Sequence, residues 1–297
     1  GNANLPDLEI MTTARNVYNA KEVNVGRKTG ETCLLLIDPQ NDFCDPEGSL
    51  YVKGGDKDMK RFARAFLNHG LKYVNSIVVT LDTHQSYHIA HRAFWVGEDG
   101  KHPEPFTRIH PHDVRHGKWK AARPEHQKWA EEYVRTLFDA ERPTLTIWPD
   151  HCIAGTKGHA VFHPLHEALV KWEKYHNKSV QYVLKGNNAF TEHYSAICAE
   201  VKRPNDPNTF VNEELLRTIH QHKHVIIAGE ALSHCVNHTV RHIFEHSETS
   251  VVNKLLLCTD ASASVEGFEE MGEDFLKFAS ENTVKLVSST DAFLVKV

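Results

Sequence analysis

Six short apolar runs, separated by stretches long enough to form helices, constrain the fold of this chain more than any other feature. The runs are rich in Val, Ile and Leu and do not alternate strictly with polar residues. Such runs are typical of strands buried on both faces of a parallel sheet. They are Thr32–Ile37, Ser76–Leu81, Val180–Leu184, His224–Ala228, Lys254–Cys258 and Val284–Val287.

Amphipathic stretches of helical length lie between the runs. They are Lys57–Leu71, Pro124–Phe138, Asn212–His220, Cys235–His246 and Glu266–Ser280. A regular alternation of strand and helix predicts βαβ units. We therefore predict an α/β fold, namely a doubly wound, mostly parallel open sheet with helices on both faces in a Rossmann-like three-layer arrangement.

The 297 residues are expected to form a single domain, because neither a repeat nor a low-complexity linker divides them. Two regions stand outside the alternation of strand and helix. Residues 1–30 form a polar N-terminal extension, and residues 85–147, approximately, form a long insertion with several His and Trp residues. The insertion has three candidate roles: a lid over the pocket, admission of a different substrate, or an oligomer contact.

The composition argues against several classes of protein. A formal net charge of −5 gives no basic surface for nucleic acid or anionic membrane. No apolar stretch approaches the roughly 18 residues of a membrane helix. Six cysteines without CxxC spacing argue against a disulfide scaffold and a zinc ribbon. Residues 1–30 contain no apolar run typical of a secretory signal, so we expect a cytoplasmic protein with reduced thiols and a small-molecule substrate.

Reactive side chains follow four of the predicted strands. Asp38, Asp82 and Lys185 come directly after the first three runs, and the fourth run leads through Gly229 to Cys235. In open α/β sheets, ligands bind just beyond the carboxyl ends of the strands. The topology therefore predicts that two carboxylates, an amine and a thiol meet at one edge of the sheet.

Three of these side chains form a plausible catalytic set. Cys235 lies where a strand and tight loop lead into a helix, and a helix N-terminus stabilises a thiolate. Each residue alone has an ordinary explanation: Cys235 as a buried apolar side chain, Asp38 as a turn cap, and Lys185 as a chain reaching solvent. Together they supply a nucleophile, a proton acceptor and a cation that holds both in ionised form.

Three motifs resemble those of the isochorismatase-like cysteine hydrolases. They are DPQNDF from Asp38, KG-x-x-AF from Lys185 and G-x-A-x-x-x-C ending at Cys235, and the resemblance covers roughly residues 31–84 and 148–294. It implies that Asp38, Lys185 and Cys235 form a catalytic triad. It further implies a cis peptide between Glu230 and Ala231, with the N–H groups of Ala231 and Cys235 as oxyanion donors.

A second set of residues resembles the metal site of one subgroup. Asp82 and His84 form a DxH motif and point to the same side of an extended segment. His151 lies in WPDHCIAGT, and nicotinamidases use DxH together with the His of a WPxHC-x-x-GT segment as metal ligands. The resemblance thus implies one divalent transition metal on Asp82, His84 and His151. Zn²⁺ is expected, and Fe²⁺ or Mn²⁺ would suit the same ligands.

The same resemblance implies how a substrate is held. The metal would hold a pyridine nitrogen and orient the ring, with Phe43 and Trp148 on either side of it. His88 is expected to support the ligands without binding the metal. His91 is expected at the surface, with an extra metal ligand as the alternative. The sequence departs from the subgroup at Gln85, where a proline is common, and in the length of the loop before His151.

The predicted activity is hydrolysis of nicotinamide, or a related pyridine carboxamide, to the carboxylate and ammonia through a thioester. This reaction belongs to the hydrolysis of linear amide C–N bonds (EC 3.5.1) and to pyridine nucleotide salvage in NAD metabolism. We expect a homo-oligomer. Two alternatives stay open: a hydrolase of another small amide, and a non-catalytic, His-rich metal-binding or interaction protein on the same fold. A thiol redox enzyme is a third alternative with less support, since Cys235 has no CxxC partner.

Overall fold

The computed structural model describes residues 31–294. Ten strands occur in this part of the chain: β1 (Thr32–Ile37), β2 (Val74–Asp82), β3 (Trp95–Gly97), β4 (Arg108–Ile109), β5 (Trp119–Ala121), β6 (Leu145–Thr146), β7 (Gln181–Lys185), β8 (His224–Gly229), β9 (Leu255–Cys258) and β10 (Lys285–Val287). Six of them form one sheet in the order β10-β9-β8-β1-β2-β7, and every neighbouring pair is parallel. The predicted parallel α/β sheet is confirmed, and each predicted strand is present with ends shifted by at most a few residues.

Burial explains why the central strands are recognisable from sequence. All six residues of β1 are buried, and β2 and β8 flank this strand on either side. The edge strand β7 differs, since Tyr182 and Leu184 on one of its faces are exposed. A central parallel strand therefore gives a continuous apolar run, whereas an edge strand keeps an alternating pattern.

Helices fill the connections between strands. In residues 31–294 they are α1 (Asn41–Cys44), α2 (Gly55–Ala65), α3 (Pro111–Arg115), α4 (Gln127–Asp139), α5 (His163–His176), α6 (Glu213–Gln221), α7 (Asn237–Glu245), α8 (Thr249–Val252), α9 (Glu269–Glu281) and α10 (Ser289–Leu294). Helix α2 packs against α5 and α10, while α7 packs against α9. Helix α5 was not among the predicted helices, although Leu165, Ala168, Leu169 and Trp172 give it a buried stripe at helical spacing.

The order of the strands places the site. From β1 the sheet extends through β2 and β7 on one side and through β8, β9 and β10 on the other. The crevice beside β1 is therefore a topological switch point, where open α/β sheets bind ligands. Register places Ile37 beside Gly229 and Asp82 beside Lys185, so these strand ends lie at one edge.

The insertion at residues 85–147 carries structure of its own. Its two small antiparallel sheets pair β3 with β5 and β4 with β6, and it also contains α3 and α4. It rejoins the main body where Trp148 N–H donates to the Ala90 carbonyl at 2.8 Å. The N-terminal extension, residues 1–30, lies outside the described residues. Among residues 31–294, no helix is long and apolar enough to cross a membrane.

Candidate active site

Asp38, Lys185 and Cys235 meet in a buried position at the switch point. Lys185 Nζ lies 2.8 Å from Asp38 Oδ2 and 3.5 Å from Cys235 Sγ. Asp38 is close enough to the same thiol to raise its pKa. The lysine side chain is 1% exposed, so it does not reach solvent. The structure therefore brings together the three side chains that the sequence predicted as a triad.

Neighbouring groups hold the acid and the amine in place. Asp38 has a positive φ of 43°, and its backbone N–H donates to Thr80 Oγ1 at 3.0 Å, while the Thr80 hydroxyl donates back to the carboxylate. Lys185 Nζ also donates to the His193 carbonyl at 3.0 Å. It lies 3.2 Å from Asp82 Oδ1 as well. One buried ammonium therefore compensates two buried carboxylates.

The electrostatics of the three groups follow from burial. Burial raises the pKa of Asp38 despite the neighbouring Lys185. The two carboxylates overcome the effect of burial on Lys185 and hold its pKa well above the usual value, so the amine stays protonated. Burial also raises the pKa of the Cys235 thiol well above its usual value, which Lys185 opposes. The resting group is thus a thiol, whereas a thiolate was expected from a helix N-terminus.

The position of Cys235 explains this difference. The cysteine lies in a π-helical turn, Leu232–Val236, that precedes α7, and it is 5% exposed. The peptide bond between Glu230 and Ala231 is cis, as the resemblance implied. The backbone N–H of Ala231 has no acceptor among residues 31–294, whereas that of Leu232 donates to the Ala263 carbonyl at 2.7 Å. An N–H without a partner next to the thiol is what an oxyanion donor requires.

Asp82, His84 and His151 converge beside this site. One ligand atom from each lies within 4.8 Å of the other two, and all three residues are buried. Asp82 Oδ2 is 3.3 Å from His151 Nε2 and 3.6 Å from His84 Nδ1. Burial opposes ionisation of Asp82, but His84, Lys185 and His151 together hold its pKa well below its usual range. The aspartate is therefore an anionic ligand at neutral pH.

Each of the two histidines turns one ring nitrogen towards the aspartate. His151 Nδ1 lies 2.8 Å from the Pro149 carbonyl, which can only accept, so Nδ1 carries the proton and Nε2 is left to bind. His84 Nε2 lies 3.4 Å from a Glu192 carboxylate oxygen, while its Nδ1 is buried without a hydrogen-bond partner among the described residues. A carboxylate that orients a histidine in this way is the usual second contact of a metal ligand. These residues fit a divalent transition metal.

Two further histidines surround His84. Its ring centroid lies 4.5 Å from that of His88 and 5.0 Å from that of His91, and the three form a second group of converging donors. The prediction of a surface position for His91 is wrong, because the residue is fully buried in the insertion, where it forms a β-bridge with Trp148. Burial lowers the pKa of His88 to about 3 and that of His91 to about 2, so both rings are neutral.

A narrow cleft of about 20 Å³ joins the thiol and the cluster. Phe43, Trp148 and Val265 give it apolar walls, while Asp82, His151 and Cys235 line the same space. The two aromatic residues predicted to contact a ring thus both line the cleft.

Several lining residues were missed in the sequence. Glu192, Tyr194 and His234 line the cleft, and Tyr194 OH accepts from Trp148 Nε1 at 3.0 Å. Gln40, within the DPQNDF motif, donates to the Asp82 carbonyl and accepts from the Asp82 N–H, both at 2.7 Å. Proximity to Lys185 and Cys235 along the chain was the available signal for the three lining residues. That signal is weak, since the path of a loop depends on packing.

Comparisons with known proteins identify relatives of the whole chain. No family model matches the sequence. The nicotinamidase of Saccharomyces cerevisiae is 26% identical over 208 residues, which are 69% of this chain and 78% of the yeast protein. The nicotinamidase of Escherichia coli is 28% identical over 209 residues, 70% of this chain and 73% of that protein. The chain is a relative of the nicotinamidases.

Solved structures show the same fold. The yeast nicotinamidase has a TM-score of 0.60 at 21% identity, covering 86% of this chain and 99% of its own. A protein from L. infantum, solved with nicotinate, has a TM-score of 0.54 at 19% identity and covers 89% of this chain and 97% of its own. A pyrazinamidase from Pyrococcus horikoshii, solved with zinc, has a TM-score of 0.50 at 21% identity over 87% and 99%. This relative of the nicotinamidases therefore has the isochorismatase-like α/β fold.

Proposed function

We propose that this protein hydrolyses nicotinamide, or a closely related pyridine carboxamide, to the carboxylate and ammonia. One observation carries the proposal: Cys235 of the buried Asp38–Lys185–Cys235 set lines one small cleft together with Asp82 and His151 of the three-ligand cluster. A nucleophile at one end and a metal-binding group at the other suit a flat ring that carries an amide. Both curated relatives are nicotinamidases, which supports the same substrate class.

The chain's own residues supply the acid–base chemistry. Asp38 accepts the proton of the Cys235 thiol as the sulfur attacks the carboxamide carbon, and the protonated Lys185 stabilises the charges that result. A raised pKa suits Asp38 for this role, because the carboxyl group must hold the proton and then release it to departing ammonia. Water then attacks the thioester with Asp38 as its base, which releases the carboxylate and restores the thiol.

The oxyanion of each tetrahedral intermediate would be held by backbone donors. The N–H groups of Ala231 and Cys235 are the donors we assign to it. Loss of one such donor typically costs about 3–4 kcal/mol of transition-state stabilisation. Because both donors belong to the backbone, substitution of their side chains would not remove them, and the geometry of the loop decides their effect.

Asp82, His84 and His151 would hold one divalent transition metal, with zinc the first choice and iron or manganese as alternatives. The zinc-bound pyrazinamidase of the same fold supports zinc. When bound, the metal supplies a Lewis-acidic site that can hold a ring nitrogen and so fix the orientation of the substrate. Phe43 and Trp148, which line the cleft, would pack against the ring, and His88 would support His84, whose ring it contacts.

We further propose that the 297 residues act as one catalytic domain, with the insertion as part of it. The cytoplasm is the expected location. We also predict a homo-oligomer, and analytical ultracentrifugation would measure the oligomeric state directly.

Ammonia release from nicotinamide, measured with and without a chelator, tests the proposal. Turnover should need both Cys235 and the metal. Cys235→Ala should abolish it, while Cys258→Ala, at a buried cysteine of β9, is the matched control and should retain it. Chelation should stop turnover, and added Zn²⁺ should restore it. Equal rates on benzamide and nicotinamide, unaffected by chelator, would instead identify an amidase of another specificity.

A further inference from the structure

The insertion helix α4 contacts the backbone that follows β7. Its buried face consists of Ala130, Tyr133, Val134 and Leu137, and Tyr133 is fully buried. Trp129 Nε1 donates to the Phe190 carbonyl at 2.7 Å. One helical turn later, Tyr133 OH accepts from the Glu192 N–H at 3.0 Å. Two side chains on one face of α4 thus form hydrogen bonds with the backbone of residues 190–194 at two nearby positions.

Residues 190–194 reach every part of the candidate site. Glu192 Oε1 lies 3.4 Å from His84 Nε2 and accepts from the His193 N–H at 2.9 Å. The His193 carbonyl accepts from Lys185 Nζ at 3.0 Å. Tyr194 OH accepts from Trp148 Nε1 and lines the cleft. A displacement of this segment would therefore move groups that contact the metal cluster, the triad and the ring-binding wall together.

A cationic side chain packs over the contact between α4 and residues 190–194. The Arg203 guanidinium lies 3.7 Å from the centre of the Trp129 ring and 5.6 Å from that of Phe190. Cation–π contacts of this kind favour a fixed ring position. Within the segment, Thr191 Oγ1 donates to the Val201 carbonyl at 2.7 Å, which anchors it from the other side. These contacts hold residues 190–194 against α4 and favour a fixed support over a lid that opens.

We propose that Tyr133 and Trp129 are positioning residues, through which the insertion sets the geometry of the Glu192–Tyr194 segment and hence of the metal and catalytic groups. Neither residue lines the cleft, and neither contacts Asp38, Lys185 or Cys235 among the described contacts. Their effect acts through Glu192 on His84 and through His193 on Lys185. The expected effect on kcat rests on the proposed function. The expected effects on Zn²⁺ affinity and on the Cys235 environment do not.

Tyr133→Phe, in the full chain loaded with Zn²⁺, tests this role. The substitution removes only a hydroxyl and leaves the buried Glu192 N–H without an acceptor. Loss of a group that orients a metal ligand typically lowers metal affinity about tenfold or more. We expect that loss for Zn²⁺ in competition with a chelator, together with a lower kcat on nicotinamide and a changed rate of Cys235 alkylation by iodoacetamide. Trp129→Phe should shift the same quantities in the same direction.

Trp172→Phe is the matched control. Trp172 is also buried, and its Nε1 donates to the Val74 carbonyl at 3.0 Å, at the start of β2 and away from the site. Both Tyr133→Phe and the control should lower Tm. The control should leave Zn²⁺ affinity, alkylation rate and kcat at wild-type values. Wild-type Zn²⁺ affinity and alkylation rate in Tyr133→Phe, or equal losses in Trp172→Phe, would overturn the proposal. If the wild-type chain releases no ammonia, the proposed function fails, while Zn²⁺ affinity and alkylation still decide the positioning role.

Discussion

Replacing Lys185 by methionine should destabilise the fold far more than replacing an exposed lysine. Lys185 Nζ compensates Asp38 at 2.8 Å and Asp82 at 3.2 Å, and all three side chains are at most 5% exposed. Removing one partner of a buried ion pair typically costs about 3–5 kcal/mol, because the other charge is left uncompensated. Thr80 still bonds Asp38, and His84 and His151 still face Asp82, so we expect the lower end of that range.

Urea denaturation in the presence of a chelator measures this loss, since no metal then binds Asp82. The control is Lys118→Met. Lys118 lies 3.1 Å from Asp113, but its side chain is 63% exposed, and such surface pairs contribute about 1 kcal/mol or less. Adding Asp38→Asn to Lys185→Met should recover part of the loss, because the second substitution removes one uncompensated charge.

The dependence on pH has a definite sign. Without the lysine, the pKa of Asp38 in the folded state lies further above its unfolded value. The folded variant then binds more protons than the unfolded chain, so its stability falls as pH rises. The deficit of Lys185→Met should therefore be larger at pH 8 than at pH 5. A loss no greater than that of Lys118→Met, or a deficit independent of pH, would refute the buried ion-pair network.

Three further predictions follow from the site and its surroundings. Cys235→Ala should abolish turnover and leave Tm and metal content unchanged, since little volume is lost; residual ammonia release would identify another nucleophile. His84→Ala should raise KM for pyridine carboxamides more than it slows hydrolysis of non-pyridine amides, and equal losses would contradict an orienting metal. Burial lowers the pKa of His234 to about 3 and that of His193 to about 4. Because the unfolded chain takes up these protons first, stability should fall below pH 6.5 by about 1.4 kcal/mol per pH unit for each ring. A smaller change of stability per pH unit in His234→Gln would confirm the contribution of the His234 ring, and an unchanged value would exclude it.

The strands and the chemistry at their ends could be predicted from the sequence because both are local properties. A strand buried on both faces needs a continuous apolar run, and β1 and β8 show one. A polar residue directly after such a run must lie at the carboxyl edge of a parallel sheet. Asp38 and Lys185 were therefore assigned to that edge, and the motif placed Cys235 beside them.

The resting state of the thiol could not be read from the sequence. A cysteine ahead of a helix suggests a stabilised thiolate, but the structure buries Cys235 in a π-helical turn, where desolvation raises the thiol pKa. The prediction of an exposed His91 failed for a related reason, because burial of an insertion residue depends on what packs over it. Burial is a sum over the whole fold and has no local signature.

The sequence by itself determined the sheet, the edge at which the reactive groups meet and the identity of the Asp38, Lys185 and Cys235 set. Only the tertiary structure decided that Glu192 faces His84, that His88 and His91 crowd the same ligand, and that Tyr133 holds the segment carrying Glu192. The physical reason is that strand periodicity and motif spacing are carried by neighbouring residues. The course of a 63-residue insertion, residues 85–147, is instead fixed by contacts between side chains far apart in the chain.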